Sequence, residues 1–139
     1  IVTAGGKNVI PALLEDQIRA DALVSQVLVV GDNRPFIGAL VTLDQEALPG
    51  WLQRHGLPGT TTLEEAADNP VVKAAVQDLI TRANTSVSQA EAIKSFRIVA
   101  TDFTEASGHL TPSMKVKRAQ VMKDFETVID EMYGAPRES

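Results

Sequence analysis

Two apolar runs rich in β-branched residues, VSQVLVVGD (24–32) and PFIGALVTLD (35–44), are separated by a cluster of turn-forming residues at 31–35. β-Branched residues suit extended strands, whereas glycine, asparagine, aspartate and proline favour turns. The pattern therefore predicts a β-hairpin, and any fold of this chain has to accommodate it.

Helical patterns lie on both sides of the hairpin. Pro11 suits the first turn of a helix, and apolar residues recur at helical spacing after it, which predicts a helix over about residues 11–21. Asn69 followed by Pro70 is an N-cap and first-turn pair ahead of the longest periodic segment. The apolar stripe of that segment predicts the inward face of a long helix and consists of Val72, Val76, Leu79, Ile80, Ala83 and Val87.

Shorter elements fill the remaining segments. QEALPGWLQRHGL (45–57) predicts a short helix that either breaks at Pro49 and Gly50 or continues past them. Thr62 and Glu65 have the spacing of a capping box. A third strand, a loop and a terminal helix are predicted for FRIVATDF (96–103), TEASGHLTPS (104–113) and AQVMKDFETVIDEM (119–132).

The order of these elements predicts a small α/β (α+β) fold, in which helices flank a three-stranded sheet. At 139 residues, with 44% apolar and 22% charged residues, the chain suits one globular domain over residues 1–139. Aromatic residues make up only 4% of the chain, so we expect a mainly aliphatic core.

The residue types and segments that the sequence lacks exclude several classes of protein. Without cysteine there are no disulfides, thiolate nucleophiles or cysteine-based zinc sites, and a cytosolic location fits. No apolar run approaches the ~18 residues of a membrane-spanning helix, and no signal peptide is visible. Because the chain opens with IVTAGGKN and no initiator methionine, we expect it to be a piece of a longer protein.

A glycine pair, Gly5 and Gly6, precedes Lys7 and invites comparison with a phosphate-binding P-loop. A Walker loop needs four residues between its first glycine and the Gly-Lys pair, followed by serine or threonine, whereas Asn8 stands here. The residues alone therefore favour a tight turn that leads into the helix at Pro11.

Other candidate catalytic residues are isolated in the sequence. His55 and His109 have no further metal ligand at suitable spacing, so both are interpreted as surface or loop histidines and no metal site is predicted. Ser107 and Ser113 have no histidine placed to suggest a catalytic triad. An acidic patch fits helix-start charges and consists of Glu64, Glu65 and Asp68.

One basic cluster remains, LTPSMKVKR (110–118), which sets Lys115, Lys117 and Arg118 behind a Thr-Pro-Ser turn in a chain of net charge -5. A nucleic-acid surface would need a wider basic face with interleaved aromatic residues, so nucleic acid is not an expected partner. On the residues alone, two interpretations stay open: a solvated helix start, or a lysine that meets an anionic reacting group.

Three segments resemble those of a known family. VTAGGKNVIPALLE (2–15) resembles the start of the C-terminal domain of the adenylate-forming enzymes, which include acyl-CoA synthetases, luciferases and peptide-synthetase adenylation domains. TPSMKVKR (111–118) resembles the second signature of that domain, Thr-x-Ser-Gly-Lys-Ile-x-Arg, with Met114 where most members have glycine. LVSQVLVVGDNRPFIGALVTLD (23–44) is similar to the central hairpin of long-chain fatty acyl-CoA synthetases of a bacterial type.

The resemblance implies a ligase that uses ATP and Mg²⁺ to convert a fatty acid to an acyl-adenylate and then transfers the acyl group to CoA. Residues 1–139 would be its mobile C-terminal domain, with a hinge just upstream of Ile1. A large N-terminal domain of the same chain would hold ATP, Mg²⁺ and the acyl group. We therefore expect residues 1–139 to be inactive alone and the enzyme to be cytoplasmic or peripheral to a membrane.

The resemblance also implies roles for individual residues. Lys115 is the expected catalytic residue, because its position in the family places its charge at the carboxylate and the attacked phosphate during adenylation. Gly5 and Gly6 are expected to line the pantetheine channel of CoA in the second step. Lys7 and Asn8 are expected to reach the phosphates of CoA.

Alternatives remain for the roles of the two cations after Lys115 and for the function of the chain. Lys117 and Arg118 are expected either to position the loop of Lys115 or to meet the partner domain. A stand-alone α/β module for protein interaction or regulation, without catalysis, is the alternative function. A short-chain or aryl acid ligase would differ only in an acyl pocket that lies outside these residues.

Overall fold

The structure is a computed structural model that describes residues 1–134. Its α-helices are Pro11–Arg19 (α1), Leu48–Arg54 (α2), Leu63–Asp68 (α3), Pro70–Asn84 (α4), Arg118–Asp124 (α5) and Glu126–Met132 (α6). Its strands are Val24–Val30 (β1), Ile37–Leu43 (β2) and Ile93–Val99 (β3), and a single 3₁₀ turn spans Gln89–Glu91. The predicted α/β fold, a three-stranded sheet with flanking helices, is confirmed.

The sheet has the strand order β1-β2-β3. β1 and β2 are antiparallel and form the predicted hairpin, while β3 runs parallel to β2 after the crossover through α2, α3 and α4. Side chains alternate between the two faces, so that Val27 and Val29 enter one apolar core and Leu28 and Val30 the other. Helices therefore cover both faces.

Each face has its own set of buried side chains. The larger core joins the sheet to α1–α4 and includes Leu14, Ile18, Leu52, Val72, Val76 and Ile80. The smaller core joins the other face to α5, α6 and the loop before them, and includes Leu40, Phe103, Leu110, Val121, Ile129 and Met132. Most of these side chains are aliphatic, as the composition predicted.

The sequence signals for helix starts are confirmed. Thr62 and Glu65 form a reciprocal capping box, with N–H to side-chain distances of 3.0 and 3.1 Å. The Asn69 side chain accepts from the N–H of Val71 at 2.8 Å and caps α4. α2 begins at Leu48 and continues past the proline and glycine that follow it.

Two elements differ from the prediction. β3 spans Ile93–Val99 instead of 96–103, because the side chain of Asn84 bonds both backbone groups of Ile93 at 2.9 and 3.0 Å and fixes an earlier start. The terminal helix is divided at Phe125, whose φ and ψ are -110° and 22°. The hydrogen bond from the N–H of Ile129 to the carbonyl of Phe125 persists at 3.0 Å, so the division is a kink.

An ion pair protects the free edge of β1. The N–H of Val29 donates to the Glu15 carboxylate at 2.7 Å, and Arg118 donates to the carbonyl of Val29 at 3.1 Å. Arg118 also donates to both oxygens of Glu15, at 2.6 and 2.7 Å. Unpaired edge groups can pair with another chain. Here they are bonded to side chains instead, and α1, β1 and α5 are tied together.

We predict that Glu15→Gln lowers the free energy of unfolding by about 1–3 kcal/mol, because the amide removes the charge beside Arg118 in a buried position. Urea unfolding of the 139-residue domain measures the change. Glu46→Gln, at an exposed position after β2, is the matched control and should stay within about 0.5 kcal/mol of the original. Equal, small effects would show that the pair contributes no more than a surface salt bridge.

Candidate functional site

Lys115 lies at the end of a tight turn. Leu110 and Val116 form an antiparallel bridge, and the N–H of Thr111 donates to the carbonyl of Lys115 at 2.8 Å. The N–H of Lys115 donates to the Thr111 hydroxyl at 3.1 Å. Among residues 1–134, no carboxylate pairs with its ammonium group, and the residue is exposed. The turn therefore presents an uncompensated cation from a hydrogen-bonded backbone.

Met114, directly before this lysine, has a φ of 65°. Glycine adopts that left-handed conformation readily, whereas a residue with a Cβ adopts it at a steric cost. The backbone geometry thus explains why glycine suits this position of the signature. Met114 keeps the conformation with a side chain that is 59% exposed.

A surface cleft of about 580 Å³ lies beside the turn, between Lys115, α1 and β1. Gln26 also lines it, and the Oε1 atom of Gln26 is the buried side-chain polar atom without a hydrogen-bond partner in the described part of the chain. A buried acceptor without a partner costs about 1–3 kcal/mol. The acceptor atom is buried, so the cleft presents the cation of Lys115, and not this oxygen, to a group that docks there.

The two cations after Lys115 differ in their surroundings. Arg118 bonds Glu15 and Val29 within the domain, so it fixes the end of the loop, which was one of its two expected roles. Lys117 is exposed, and its N–H donates to the carbonyl of His109 at 2.8 Å.

The glycine pair forms the expected tight turn. The N–H of Gly6 donates to the carbonyl of Thr3, and the N–H of Thr3 donates to the carbonyl of Lys7, both at 2.9 Å. Gly6 has a φ of 85°, a backbone conformation that glycine adopts without the steric cost that a residue with a Cβ would have. Gly5 has no positive φ, and a Cβ on it would meet nothing within 4 Å. Within this domain, nothing requires Gly5 to be glycine.

The glycine turn rests on the tip of the β1–β2 hairpin. The N–H of Ala4 donates to the carbonyl of Arg34 at 2.9 Å, and the Asp32 carboxylate accepts from the N–H of Val2 at 3.1 Å. Arg34 in turn pairs with Asp130 at 2.8 Å and lies 4.9 Å from the ring centre of Tyr133. The hairpin tip thus links the turn to the C-terminal helix.

Lys7 and Asn8 are both exposed. The ammonium of Lys7 lies 3.7 Å from the Glu91 carboxylate. A hydrogen bond from Ser88 lowers the pKa of Glu91 below its usual value, and the charge of Lys7 lowers it further, so Glu91 remains ionised near neutral pH. No hydrogen bond or ion pair joins the Lys7 turn to the Lys115 turn among residues 1–134.

His109 lies in a loop as expected, but its ring is buried. Ser107 Oγ is 2.9 Å from its Nδ1, and Asp124 Oδ2 is 2.7 Å from its Nε2. Hydrogen bonds from Gln120 and then from His109 lower the pKa of Asp124. Because Ser107 Oγ also accepts from the N–H of Thr104 at 3.0 Å, it is held within a local turn. The contacts among Ser107, His109 and Asp124 thus connect the loop before Lys115 to α5.

Thr3, Gln26 and the Glu15–Arg118 pair were not predicted as contacts of the site, and Thr111 was noted only as the first residue of the second signature. One signal was available for the two threonines, since each stands four positions before a lysine, in TAGGK and TPSMK.

Within residues 1–134, the structure shows no group of three or more His, Asp or Glu side chains placed to hold a metal. In the same range, no helix is long and apolar enough to cross a bilayer.

Comparisons with solved structures agree on the fold. The adenylation domain of a carboxylate reductase from Mycobacterium chelonae superposes with a TM-score of 0.73 at 23% identity, covering 96% of this chain and 19% of that chain. A fatty acyl CoA synthetase from Mycobacterium tuberculosis gives a TM-score of 0.54 at 17% identity, covering 92% and 20%. At these identities the likeness concerns the fold alone.

Sequence relatives are closer. The long-chain-fatty-acid–CoA ligase FadD15 of Mycobacterium tuberculosis is 51% identical over 134 residues, which cover 96% of this chain and 22% of the ligase. The human long-chain-fatty-acid–CoA ligase ACSBG1 is 32% identical over an alignment of 151 residues with gaps, which covers 96% of this chain and 21% of that ligase. The chain thus spans about a fifth of these relatives. Residues 1–137 match the AMP-binding enzyme C-terminal domain, and the chain belongs to that family.

Proposed function

We propose that this chain is the mobile C-terminal domain of an AMP-forming long-chain-fatty-acid–CoA ligase. Family membership and the 51% identical ligase support the class of reaction. The observation that carries the proposal is the uncompensated ammonium of Lys115, held on a hydrogen-bonded turn within the second family signature. No observation specifically favours the alternative of a stand-alone interaction module.

In the first step, the fatty acid carboxylate attacks the α-phosphorus of ATP, and pyrophosphate leaves. Negative charge gathers on the phosphate oxygens in the transition state, so a cation placed there stabilises the transition state more than the ground state. Lys115 can supply this charge without first breaking an ion pair within residues 1–134. Arg118 keeps the base of the loop fixed to α1 and β1 while the tip projects.

In the second step, the thiol of CoA attacks the acyl carbonyl, and AMP leaves. We assign Gly5 and Gly6 to the wall of the pantetheine channel, and Lys7 and Asn8 to the CoA phosphates. The exposed glycine turn supports this assignment, since Gly5 has no structural need for glycine within the domain. The Lys7–Glu91 pair is long and partly exposed, so it opens at little cost when a phosphate approaches.

ATP, Mg²⁺ and the acyl chain belong mainly to the N-terminal domain in this proposal. The C-terminal domain then contributes one charge to adenylation and one surface to thioester formation. A cytoplasmic location, or one peripheral to a membrane, fits such an enzyme.

We predict that Lys115→Ala in the full-length ligase slows adenylation by about 10²-fold to 10³-fold, because it removes a charge that acts in the transition state. Thioester formation from preformed acyl-adenylate and CoA should change by less than about threefold. Pyrophosphate release and acyl-CoA production, measured separately, check the two steps.

Lys117→Ala is the matched control for this prediction. It removes the same charge two positions away, from an exposed residue, and should leave adenylation within about tenfold. If both variants have equally mild effects, the basic cluster is a solvated helix start and the proposed role of Lys115 is wrong.

We predict that Gly5→Leu slows thioester formation by about tenfold or more and changes adenylation by less than about threefold, since its side chain would project into the pantetheine channel. Gly5 suits this test because a side chain there meets no atom of the domain. Gly6→Leu should in addition lower the melting temperature, because of its positive φ. If Gly5→Leu forms thioester at the original rate, the glycine turn is not part of the CoA site.

The isolated 139-residue chain should fold and yet show no ATP–pyrophosphate exchange. Its two apolar cores support folding, and in this proposal ATP and Mg²⁺ are held mainly by the N-terminal domain. The measurement compares the isolated chain with the full-length ligase at equal concentration. ATP–pyrophosphate exchange by the isolated chain would contradict the proposal that the N-terminal domain holds ATP and Mg²⁺.

A further inference from the structure

The turns that carry Lys7 and Lys115 have the same construction. In each, a threonine stands four positions before the lysine and forms a backbone hydrogen bond from its N–H to the lysine carbonyl, at 2.9 Å for Thr3 and 2.8 Å for Thr111. The threonine hydroxyl then accepts from the lysine N–H, at 3.1 Å in both turns.

The agreement extends to the rest of each turn. The residue before each lysine has a positive φ, 85° at Gly6 and 65° at Met114, and its N–H donates to the threonine carbonyl at 2.9 and 2.8 Å. An isolated antiparallel bridge closes each turn, Val2 with Asn8 and Leu110 with Val116. The two turns differ in sequence between the threonine and the lysine, so the threonine hydroxyl is the side-chain feature that they share.

The hydroxyl restrains the backbone at the lysine. The lysine N–H lies at the point where the chain leaves the positive-φ residue, and an acceptor there fixes the orientation of the peptide and therefore of the lysine Cα–Cβ bond. Thr3 is 7% exposed, and its hydroxyl bonds only backbone groups of Lys7 among residues 1–134. The Thr111 hydroxyl also lies 3.1 Å from the hydroxyl of Ser113.

We propose that Thr111 and Thr3 are positioning residues, Thr111 for Lys115 in adenylation and Thr3 for Lys7 in thioester formation. The assignment of each turn to one step rests on the function proposed above. One turn geometry then serves twice in the domain, once for each anionic centre that a lysine has to meet. Neither threonine touches a substrate in this account, because each acts through the N–H of its lysine.

The two turns should differ in sensitivity. Lys7 has a weak partner in Glu91 at 3.7 Å, which keeps its ammonium group near the turn until a phosphate approaches, whereas Lys115 has no carboxylate partner among residues 1–134. The direction of Lys115 therefore depends more on its turn. We expect the loss of the Thr111 hydroxyl to have the larger effect on its own step.

The test uses the full-length ligase with Thr111→Val and Thr3→Val, which keep the branched shape and remove the acceptor, and with Thr111→Ser and Thr3→Ser, which restore it. Single-turnover adenylation and thioester formation are measured for each variant. Thr111→Val should slow adenylation by about 10-fold to 10²-fold and leave the second step within about threefold. Thr3→Val should slow thioester formation by about threefold to tenfold and spare adenylation.

The serine variants and a control variant give two further expected results. Both serine variants should recover to within about threefold of the original rates, because the hydroxyl is retained. Thr81→Val, at an exposed position on α4, is the matched control and should change neither step. If a valine variant fails to fold, alanine at the same position is compared with serine in the same assays.

Equal slowing of both steps by one threonine variant, or full activity of both valine variants, would overturn the positioning role. So would a serine variant as slow as the valine variant. A different result would contradict the proposed function itself. In that case Lys115→Ala would catalyse adenylation at the original rate. With Lys115→Ala impaired and the threonine variants fully active, the function would stand and the role of the hydroxyls would be wrong.

Discussion

The Glu15–Arg118 ion pair is the interaction on which the geometry of the domain depends. Glu15 ends the segment 2–15 that resembles the start of the family domain, and Arg118 ends the second signature. The two side chains meet at the free edge of β1 through distances of 2.6 and 2.7 Å. Because both also bond Val29, the pair satisfies backbone groups that water or another chain would otherwise meet. The last residue of the second signature thus has a structural role, since it holds the loop that carries Lys115.

The sheet gives both lysine turns a rigid base. The Lys7 turn is bonded to the hairpin tip, which Arg34 connects to α6 by an ion pair of 2.8 Å. The Lys115 turn leaves the smaller core at Leu110 and ends at Arg118, on the edge of the same hairpin. Reorientation of the whole domain would therefore move two preformed turns as rigid parts and would not require either turn to refold.

The sequence patterns predicted most of the secondary structure, because helix caps, apolar periodicity and turn residues act between near neighbours. The hairpin, α1, the capping box of α3 and the cap of α4 followed from such local signals. The start of β3 did not, since it depends on the side chain of Asn84 nine positions earlier. The kink at Phe125 was also missed, because neither proline nor glycine stands there.

The candidate site was predictable only to the extent that its residues stand in recognisable signatures. Lys115 and the glycine pair followed from the family resemblance. The contact of the buried His109 ring with Asp124 and the ion pair of Glu15 were not visible, because their partners come together through the packing of α5 on the sheet. The Gln26 acceptor, which has no partner among residues 1–134, was not visible either, since only burial distinguishes it from the oxygen of a surface glutamine.

Met114 shows how one departure from a signature changes the physics of a site while preserving its geometry. Its φ of 65° is the conformation that glycine provides freely, and methionine adopts it at a cost of about 1–2 kcal/mol. A residue with a Cβ also has fewer accessible backbone states than glycine, so the turn loses less entropy when it is ordered. The strain and the reduced entropy of the unfolded chain act in opposite directions on stability, so the net cost of methionine at this position is smaller than the strain alone. The Thr111 hydroxyl, which accepts from the N–H of Lys115, restrains the backbone directly after Met114 and so helps to keep the turn in this conformation.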